Sequence, residues 1–286
     1  MVRRESAFES LLREHGTVQM AEYRLAQRGQ RLGDVRQRHE AIISAAQVAL
    51  GRVPTVWRKT WVLRRDLDRF RFAPEDLVVA VGLDGLVPNV AKYLTGQPVV
   101  GVNPTEWPQR MMHFKAGDLA HLYASGTPKT EPRTMVRVAM DDGRELLALN
   151  EVFCGHTSHQ SAKYDIAYAG QTEYQSSSGL IVTTGTGATG WASSIAAASG
   201  LDVAELPAPT DPLIYFLVRE AWASSFTGTA LGRGAVAHRS NLHLVSKMQE
   251  GGVLFGDGIE SDALAFSWGQ SADFSVADRV LNLAIP

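Results

Sequence analysis

The sequence predicts a small α/β domain with a parallel sheet, followed by a β-rich, sandwich-like domain, with a helical extension at the amino terminus. Two continuously apolar segments, DLVVAV and QPVVGV, flank a glycine turn and a helical pattern, as in a βαβ unit. From about residue 134 onward, short alternating segments separated by turn residues are typical of an antiparallel sandwich. The 286 residues are enough for two domains. We place the boundaries at residues 1–52 (helical extension), 53–125 (α/β domain) and 126–286 (β-rich domain).

The amino-acid composition argues against a membrane-spanning or secreted protein. Hydrophobic residues make up 45% of the chain, and no apolar run approaches the roughly 18 residues of a membrane span. The first ten residues, MVRRESAFES, lack the apolar core of a signal peptide. The single cysteine, Cys154, permits no internal disulfide and fits a reducing compartment. We therefore expect a cytoplasmic protein with no membrane partner.

Charge is spread unevenly along the chain. Residues 1–72 hold 15 Lys or Arg against 8 Asp or Glu, a net charge of +7, whereas the remainder carries −9. A basic segment can bind nucleic acid or phosphates, but these arginines lie on amphipathic patterns without interleaved aromatic residues. That pattern favours a solvated helix face, so no nucleic-acid partner is expected. We interpret the helices as a cover for the next domain or as a subunit contact in a homodimer or homotetramer.

The amino-terminal helices carry recognisable start signals. Ser6 and Glu9 predict a capping box at the first helix. Thr17 and Asp34 predict the amino-terminal caps of two further helices. Aromatic and β-branched residues in the segment from Pro54 to Leu63 then predict a strand.

Asp84 is the first candidate for chemistry. It lies in the turn VGLDG, between Gly82 and Gly85, directly after the first apolar strand. Open α/β sheets bind ligands at the carboxyl ends of their strands. An aspartate held by glycines there can approach a ligand closely and act as a base on a hydroxyl. The alternative is a turn aspartate that accepts bonds from the nearby backbone, and the local sequence does not decide between them.

The stretch from Ser176 to Ser194 predicts a strand, a glycine-rich turn and a helix start. Gly185, Gly187 and Gly190 allow tight turning, and N–H groups at a helix start attract anions, which suggests a nucleotide site. The same glycines satisfy the spacing of a Rossmann fingerprint. However, the following segment LDVAELPAPTDP contains three prolines and cannot supply the required central strand. A purely structural turn remains the alternative.

Asn150 and Glu151 follow the apolar run ELLAL. An asparagine side chain can recognise an adenine edge or a ribose hydroxyl, and a glutamate can hold a neighbouring group or a metal-bound water. Polar residues at strand ends are more often turn formers, so this pair by itself favours the structural interpretation.

The histidines and acidic residues considered as metal ligands do not have the spacing of known metal sites. His156 and His159 have neither the spacing of a helical histidine pair nor that of a zinc finger. The acidic cluster of Asp257, Glu260 and Asp262 lacks the ligand periodicity of an EF-hand and, with its flanking glycines, predicts a hairpin turn. The G-x-S-x-G and P-loop motifs are both absent from the sequence.

Taken in order, three stretches resemble the NAD kinase family. They are VVAVGLDGLVPNVAKYLTGQPVVGVN, ALNEVF and GLIVTTGTGATGWASS, and the later GGVLFGDGIESD is consistent with them. The resemblance covers about residues 76–286. Ordered motifs at compatible spacing are far more specific than any one motif alone.

The resemblance implies a phosphotransferase that moves the terminal phosphate of a nucleoside triphosphate to the ribose 2′-hydroxyl of NAD. Asp84 would face that hydroxyl as the catalytic residue. Mg²⁺ would accompany ATP or another phosphate donor and neutralise its phosphates, with no metal site made by the protein itself. The nucleotide-binding residues implied are Gly82, Gly85, Asn103, Asn150, Glu151, Thr186, Gly187, Thr189, Gly190, Trp191 and Ser194.

Several positions depart from the family pattern. Leu83 replaces a glycine, Leu86 a threonine, Ser178 an aspartate and Trp191 a tyrosine, and the turn around residues 107–109 differs. The residues implied to bind adenosine therefore follow the family pattern more closely than those implied to bind the nicotinamide and the phosphate donor. Two alternatives remain open: a kinase of another adenosine-containing acceptor, and a nucleotide-binding sensor that has lost phosphoryl transfer.

Overall fold

A computed structural model describes residues 1–126 and 128–286, and the chain divides into two compact units. The first unit comprises Met1–Glu131 and Asn282–Pro286, and the second comprises Pro132–Leu281. This division differs from the expected boundaries at both ends of the chain. The amino-terminal helices belong to the first unit, and the last five residues return to it.

The described residues contain six α-helices, of which the first five lie in the first unit. They are α1 (Ala7–His15), α2 (Val18–Gln27), α3 (Leu32–Arg52), α4 (Leu86–Ala91), α5 (Leu119–Ala124) and α6 (Trp191–Ala198). Short 3₁₀ helices lie at Arg64–Arg69, Gly187–Thr189, Val203–Glu205 and Glu260–Asp262.

Eighteen strands lie in the same described residues and form three six-stranded sheets. They are β1 (Val2–Arg3), β2 (Val62–Leu63), β3 (Val78–Val81), β4 (Pro98–Val102), β5 (Thr130–Arg133), β6 (Val136–Met140), β7 (Glu145–Ala148), β8 (Glu151–His156), β9 (Ala162–Tyr168), β10 (Gln171–Ser177), β11 (Leu180–Thr183), β12 (Leu213–Val218), β13 (Arg233–Ala237), β14 (Leu242–Ser246), β15 (Gly252–Gly256), β16 (Leu264–Ala265), β17 (Ser271–Val276) and β18 (Leu281–Ala284).

The first unit is built on a sheet with the strand order β2-β1-β3-β4-β18-β5. Strands β2, β1, β3, β4 and β18 pair in parallel. All four residues of β3 are buried, which is why its sequence is apolar without alternation. The βαβ unit predicted from the sequence is confirmed as β3, α4 and β4. It brings the carboxyl end of β3, with its glycine turn, to one edge of the sheet.

The amino-terminal helices cover this sheet. Ala46 and Ala49 of α3 belong to the same buried cluster as Val79 and Val81 of β3. The small side chains on that face of α3 let the helix lie close to the strands. The interpretation of this segment as a cover therefore agrees with its packing.

The predicted helix starts are correct in two of three cases. Ser6 and Glu9 form the capping box, and the Thr17 hydroxyl accepts a bond from the Met20 amide. The third prediction was wrong because α3 begins two residues before Asp34, with Arg31 at the cap. Asp34 instead lies in the first turn, where a carboxylate is favoured by the helix dipole and pairs with Arg31.

Two strand predictions need correction. Of the segment from Pro54 to Leu63, only Val62–Leu63 forms a strand. The last apolar segment was expected in the antiparallel part of the chain, but β18 pairs in parallel with β4 in the first sheet. Alternation in a short segment indicates a strand and does not indicate its partner, because pairing is decided by tertiary packing.

The second unit is a sandwich of two antiparallel sheets with the orders β10-β9-β14-β17-β6-β7 and β13-β12-β11-β8-β15-β16. Inward residues of both sheets form one core, which includes Tyr164, Leu244, Cys154 and Val182. Helix α6 packs on the outer face of the second sheet through Ala192 and its neighbours. All four residues of β11, Leu180–Thr183, are buried, so its sequence shows no alternation of apolar and polar residues. The predicted fold class, α/β followed by a β-rich sandwich, is confirmed.

The described helices also bear on the membrane prediction. None of the helices within residues 1–126 and 128–286 combines the length and the apolar character needed to cross a bilayer.

Replacing Ser6 by alanine should lower the free energy of unfolding of the first unit by about 1 kcal/mol. The Ser6 hydroxyl accepts a bond from the Glu9 amide and also contacts Nδ1 of His39, and both interactions would be lost. Urea unfolding measures the effect. Ser44→Ala, in the exposed middle of α3, is the control and should not lower stability, because alanine is the better helix former. Equal losses in the two variants would contradict the capping role.

Candidate functional site

Asp84 lies half-buried in the turn after β3, and its carboxylate holds another segment of the first unit. Oδ2 accepts a hydrogen bond from the Arg110 amide and Oδ1 accepts one from the Met111 amide, each at 2.8 Å. The Asp84 amide in turn donates to Oε1 of Gln109 at 3.2 Å. The carboxylate therefore bonds to backbone amides, but these lie about 26 residues away in the chain and do not belong to its own turn, as the local alternative had expected.

The segment that reaches Asp84 crosses β4 at very short range. A Cβ on Gly101 would lie 2.0 Å from the Met111 carbonyl oxygen, so only glycine permits this crossing. The Phe114 amide donates to the Gly101 carbonyl, and the Asn103 amide donates to the Phe114 carbonyl. This is the region in which the sequence departs from the NAD kinase pattern, and it is firmly held against the strand.

Asn103 organises the start of the same segment. Its side-chain amide donates to the Trp107 carbonyl at 2.8 Å, and its side-chain oxygen accepts from the amide and hydroxyl of Thr105. The side chain is buried, with 7% of its surface exposed. Asn103, which the sequence predicts as a nucleotide-binding residue, therefore holds the backbone of Thr105 and Trp107 in place.

The residues around Asp84 differ in accessibility. Gly82 is buried and has a φ of 158°, a backbone conformation that favours glycine. Gly85 is exposed and lies at the start of α4. The Leu83 side chain is 55% exposed. The turn thus presents a leucine to solvent next to a partly engaged carboxylate.

In the second unit, Asp257 holds the turn that contains Asn150. The Asp257 carboxylate accepts from the Leu149 amide at 3.1 Å and from the Asn150 amide at 2.7 Å. The Asp257 amide donates to the Glu151 carbonyl. Asp257 has a φ of 55°, a conformation that aspartate tolerates better than most residues. The predicted hairpin turn at this position therefore anchors a second turn.

Glu151 has a partly buried carboxyl group whose pKa is raised. Burial, followed by the negative charge of Asp257, raises the pKa of Glu151 to about 7. A carboxyl in this state can donate or accept a proton near neutral pH. Strand β8 begins at Glu151, which pairs with Thr183 at the end of β11. The sequence-predicted pair and the glycine-rich turn are therefore brought together.

The glycine-rich turn holds itself together through Thr184. Its hydroxyl donates to the Leu149 carbonyl at 2.6 Å and accepts from the amides of Thr186 and Gly187. The Thr184 amide donates to the Asn150 carbonyl. Two of the N–H groups expected to bind an anion are thus already bonded within the protein. The anion-binding part of the prediction shifts from the turn itself to the first turn of α6.

The glycines of this turn have distinct structural reasons. A Cβ on Gly185 would lie 2.1 Å from the Ala208 backbone, and one on Gly187 would lie 2.4 Å from the Asn150 carbonyl oxygen. A Cβ on Gly190 would make only an ordinary contact, 3.5 Å from the Gly187 carbonyl oxygen, and Gly190 is exposed, as are Thr189 and Ser194. These three are the exposed residues of the predicted nucleotide site in the second unit. The Thr186 hydroxyl is buried and has no partner among the described residues.

Trp191 already has contacts on its ring. Phe153 stacks against it with ring centroids 5.5 Å apart and an angle of 23°, and the Arg219 guanidinium lies 5.2 Å from its centroid. Arg219 also donates to the Ser178 carbonyl. A purine that stacks on this indole must therefore share it with, or displace, the arginine. Arg219 places a positive charge close to the position where the family pattern has an aspartate.

The described residues contain no group of three histidine, cysteine, aspartate or glutamate side chains arranged to hold a metal ion. His156 binds the Ser158 amide and hydroxyl through Nδ1. It therefore organises its own loop.

Sequence reasoning missed four contributors: Thr184, Asp257, Gln109 and Arg219. Their roles depend on partners distant in the chain. Only the Gly-Asp-Gly spacing around Asp257 gave a signal, and it indicated a turn without indicating which backbone the carboxylate would bind.

Solved structures that share this fold include two kinases. The crystal structure of yeast NADH kinase complexed with NADH aligns with a TM-score of 0.63 and 15% identity, covering 87% of this chain and 80% of that one. The NAD kinase from Archaeoglobus fulgidus in complex with ATP aligns with a TM-score of 0.59 and 18% identity, covering 85% and 89%. No protein-family model matches the chain, and no curated protein sequence matches it. The chain therefore has an NAD kinase-like fold, as the ordered motifs predicted.

The raised pKa of Glu151 predicts a specific dependence of stability on pH. Between about pH 4.5 and 7 the folded chain retains a proton that the unfolded chain releases, so stability falls as pH rises through this window. Between pH 5 and 8, the free energy of unfolding of the wild type should fall by on the order of 2 kcal/mol through Glu151. Glu151→Gln should not show this fall. Urea unfolding of wild type and variant at the two pH values measures it.

The matched control is Glu250→Gln, which changes an exposed glutamate of the same unit. Its pH dependence should follow that of the wild type. If Glu151→Gln also follows the wild type, Glu151 does not titrate near 7.

Proposed function

We propose that the protein transfers the terminal phosphate of ATP to the ribose 2′-hydroxyl of NAD. The observation that carries the proposal is Asp84 at the carboxyl end of β3, in a fold shared with kinases crystallised with NADH and with ATP. The Asn150–Glu151 turn and the glycine-rich turn support it, because the motifs occur in the order expected for such an enzyme.

Asp84 supplies the base in this proposal. Each carboxylate oxygen accepts one backbone N–H, and each retains a further lone pair for a substrate hydroxyl. The two bonds fix the orientation of the carboxylate before substrate binds, which is the main contribution a protein makes to phosphoryl transfer. The same bonds give the aspartate a structural task as well.

The chemical step balances with the groups named. The 2′-oxygen of the ribose forms a bond to the terminal phosphorus, and the bond from that phosphorus to its bridging oxygen breaks. ADP leaves, and the hydroxyl proton passes to Asp84. Mg²⁺ enters as a complex with the phosphates of the donor, where it neutralises their charge.

The second unit binds the adenosine portion in this proposal. Asn150 offers a side-chain amide beside Glu151, whose pKa near 7 lets it donate to or accept from a hydroxyl or a ring nitrogen. Exposed Thr189, Gly190 and Ser194 surround the first turn of α6, where free N–H groups favour a negative group of the ligand.

A nucleotide-binding sensor is the second candidate, and Leu83 is the observation that favours it. The exposed leucine occupies the turn beside Asp84, where the NAD kinase pattern has a glycine. A bulky side chain there hinders the approach of phosphates to the backbone.

The site is also compatible with another adenosine-containing acceptor. Arg219 donates to the Ser178 carbonyl, and its positive charge disfavours the cationic nicotinamide ring of NAD at that position.

Asp84→Asn should lower kcat for NADP formation by about 10²–10⁴-fold, the usual contribution of a positioned proton acceptor. Mass spectrometry of reactions containing NAD, ATP and Mg²⁺ measures the turnover. Asparagine has one acceptor oxygen, so this variant also loses one of the two N–H bonds that hold the 110–111 segment.

Gln109→Ala separates the loss of the proton acceptor from the loosening of the 110–111 segment. It removes the bond to the Asp84 amide and loosens the same segment while leaving the carboxylate intact. We expect a loss of less than about tenfold, which one hydrogen bond typically accounts for. A loss as large as that of Asp84→Asn would assign Asp84 a structural role alone. Wild-type turnover in Asp84→Asn would exclude it from catalysis.

Leu83→Gly separates the enzyme from the sensor. If the protein is an active kinase, this substitution should leave the rate of NAD phosphorylation equal to that of the wild type or raise it, because it opens the turn to the donor phosphates. Leu86→Ala is less informative, since Leu86 is buried and its loss destabilises the helix. Calorimetric binding of NAD or adenosine by wild type, without turnover of ATP or polyphosphate, would contradict the kinase proposal and establish the sensor.

A further inference from the structure

Residues 103–111 follow β4, reach the carboxylate of Asp84 and carry two side chains that the fold itself does not use. The Arg110 amide donates to Oδ2 of Asp84 at 2.8 Å, and Oε1 of Gln109 accepts from the Asp84 amide. The backbone of the segment is therefore fixed against the turn that holds the proposed base. The side chains of Trp107 and Arg110 are both exposed.

Arg110 places a guanidinium close to the proposed base without pairing with it. Its amide nitrogen contacts the Asp84 carboxylate, so its positive charge lies within the length of one arginine side chain of that group. Among the described residues, the guanidinium forms no hydrogen bond, ion pair or ring contact with Asp84 or with any other group. A free guanidinium suits a phosphate, because its planar set of donors matches the phosphate oxygens.

Leu83 directs donor phosphates toward a side chain instead of the backbone of this turn. It is 55% exposed beside Asp84 and hinders the approach of phosphates to the backbone N–H groups. Lys115, the next cation along the chain, lies 3.6 Å from the Glu106 carboxylate and also donates to the Thr105 carbonyl. Arg110 is therefore the cation of residues 103–115 that remains available to a ligand.

Trp107 offers a flat aromatic surface on a fixed backbone. Its carbonyl accepts a hydrogen bond from the buried Asn103 side chain at 2.8 Å, and Pro108 after it disfavours the helical conformation at Trp107. The indole is 77% exposed and contacts no other ring among the described residues. Its Cα lies at most about 7 Å from that of Gln109, which itself bonds to the Asp84 turn. Nucleotide bases stack on aromatic surfaces of this kind.

We propose that this segment is the donor site of the kinase, and that the donor is a nucleoside triphosphate whose phosphates bind Arg110 and whose purine or pyrimidine ring stacks on Trp107. The proposal rests on the phosphoryl transfer proposed above, because the terminal phosphate has to reach Asp84. The indole, the guanidinium and the carboxylate follow one another in the order of the ring, the phosphates and the reacting phosphorus. Inorganic polyphosphate has no ring and would use Arg110 alone.

Calorimetric titration of the full chain tests the site without turnover. One probe is the Mg²⁺ complex of the β,γ-imido analogue of ATP, which is not hydrolysed. The other is the Mg²⁺ complex of inorganic tripolyphosphate, which lacks the nucleoside. NAD is present throughout, so that a site for the adenosine of the acceptor is filled. The wild type should bind the ATP analogue at least about fivefold more tightly than tripolyphosphate, as stacking of one base implies.

Two variants assign the parts of the donor. Arg110→Gln should weaken binding of both probes about tenfold, because it removes the charge that both probes use. Trp107→Ala should weaken binding of the ATP analogue at least about fivefold and leave tripolyphosphate binding unchanged. Both variants keep the backbone groups that bond to Asp84 and Asn103, so both should retain the wild-type Tm. Arg71→Gln, which removes an exposed charge of the first unit before β3, is the matched control and should change neither affinity.

Failure of the donor site and failure of the proposed reaction give different results. Phosphorylation of NAD by the wild type, with the KM for ATP unchanged in Arg110→Gln and Trp107→Ala, would overturn the donor site and leave the reaction standing. The expected binding changes in a protein that does not phosphorylate NAD would support the nucleotide site and overturn the reaction.

Absence of binding of both probes to the wild type would also overturn the donor site. Equal affinity of the wild type for the two probes, or a loss of tripolyphosphate binding in Trp107→Ala, would overturn the stacking assignment.

Discussion

Short side chains at the strand ends accept hydrogen bonds from backbone N–H groups of the turns, and most of these bonds are partly buried. Asp84 accepts from the amides of residues 110 and 111, Asp257 from those of 149 and 150, and Thr184 from those of 186 and 187. Such a bond contributes about 0.5–3 kcal/mol, so these bonds stabilise the shape of each turn. They also fix the positions of the polar residues of the candidate site.

The same bonds bear on the electrostatics of the second unit. Burial raises the pKa of Glu151, and the negative charge of Asp257, whose carboxylate accepts two amides, raises it further. A residue that anchors one turn thus adjusts the chemistry of another. The pKa of Glu151 is consequently a property of the pair of turns, and substitutions at either carboxyl will be coupled.

Two departures from the NAD kinase pattern, Leu83 and Ser178, lie at turns next to buried strands. Leu83 is exposed beside Asp84, and the Ser178 carbonyl accepts a hydrogen bond from Arg219. Neither departure disturbs the strands, because all the residues of β3 and β11 are buried. In the proposed reaction, the fold would therefore be independent of the positions that select the acceptor and the donor, which is how one architecture supports different specificities.

The sequence alone determined the α/β unit with its βαβ motif, the β-rich sandwich, the capping box at Ser6 and the ordered motifs around Asp84, Asn150 and Gly187. These features rest on local periodicity, turn chemistry and motif spacing, which act between residues close in the chain. Tertiary structure alone decided the partner of β18, the amides held by Asp84 and Asp257, and the pKa of Glu151. Each of these depends on burial and on contacts between distant segments, for which a linear pattern contains no signal.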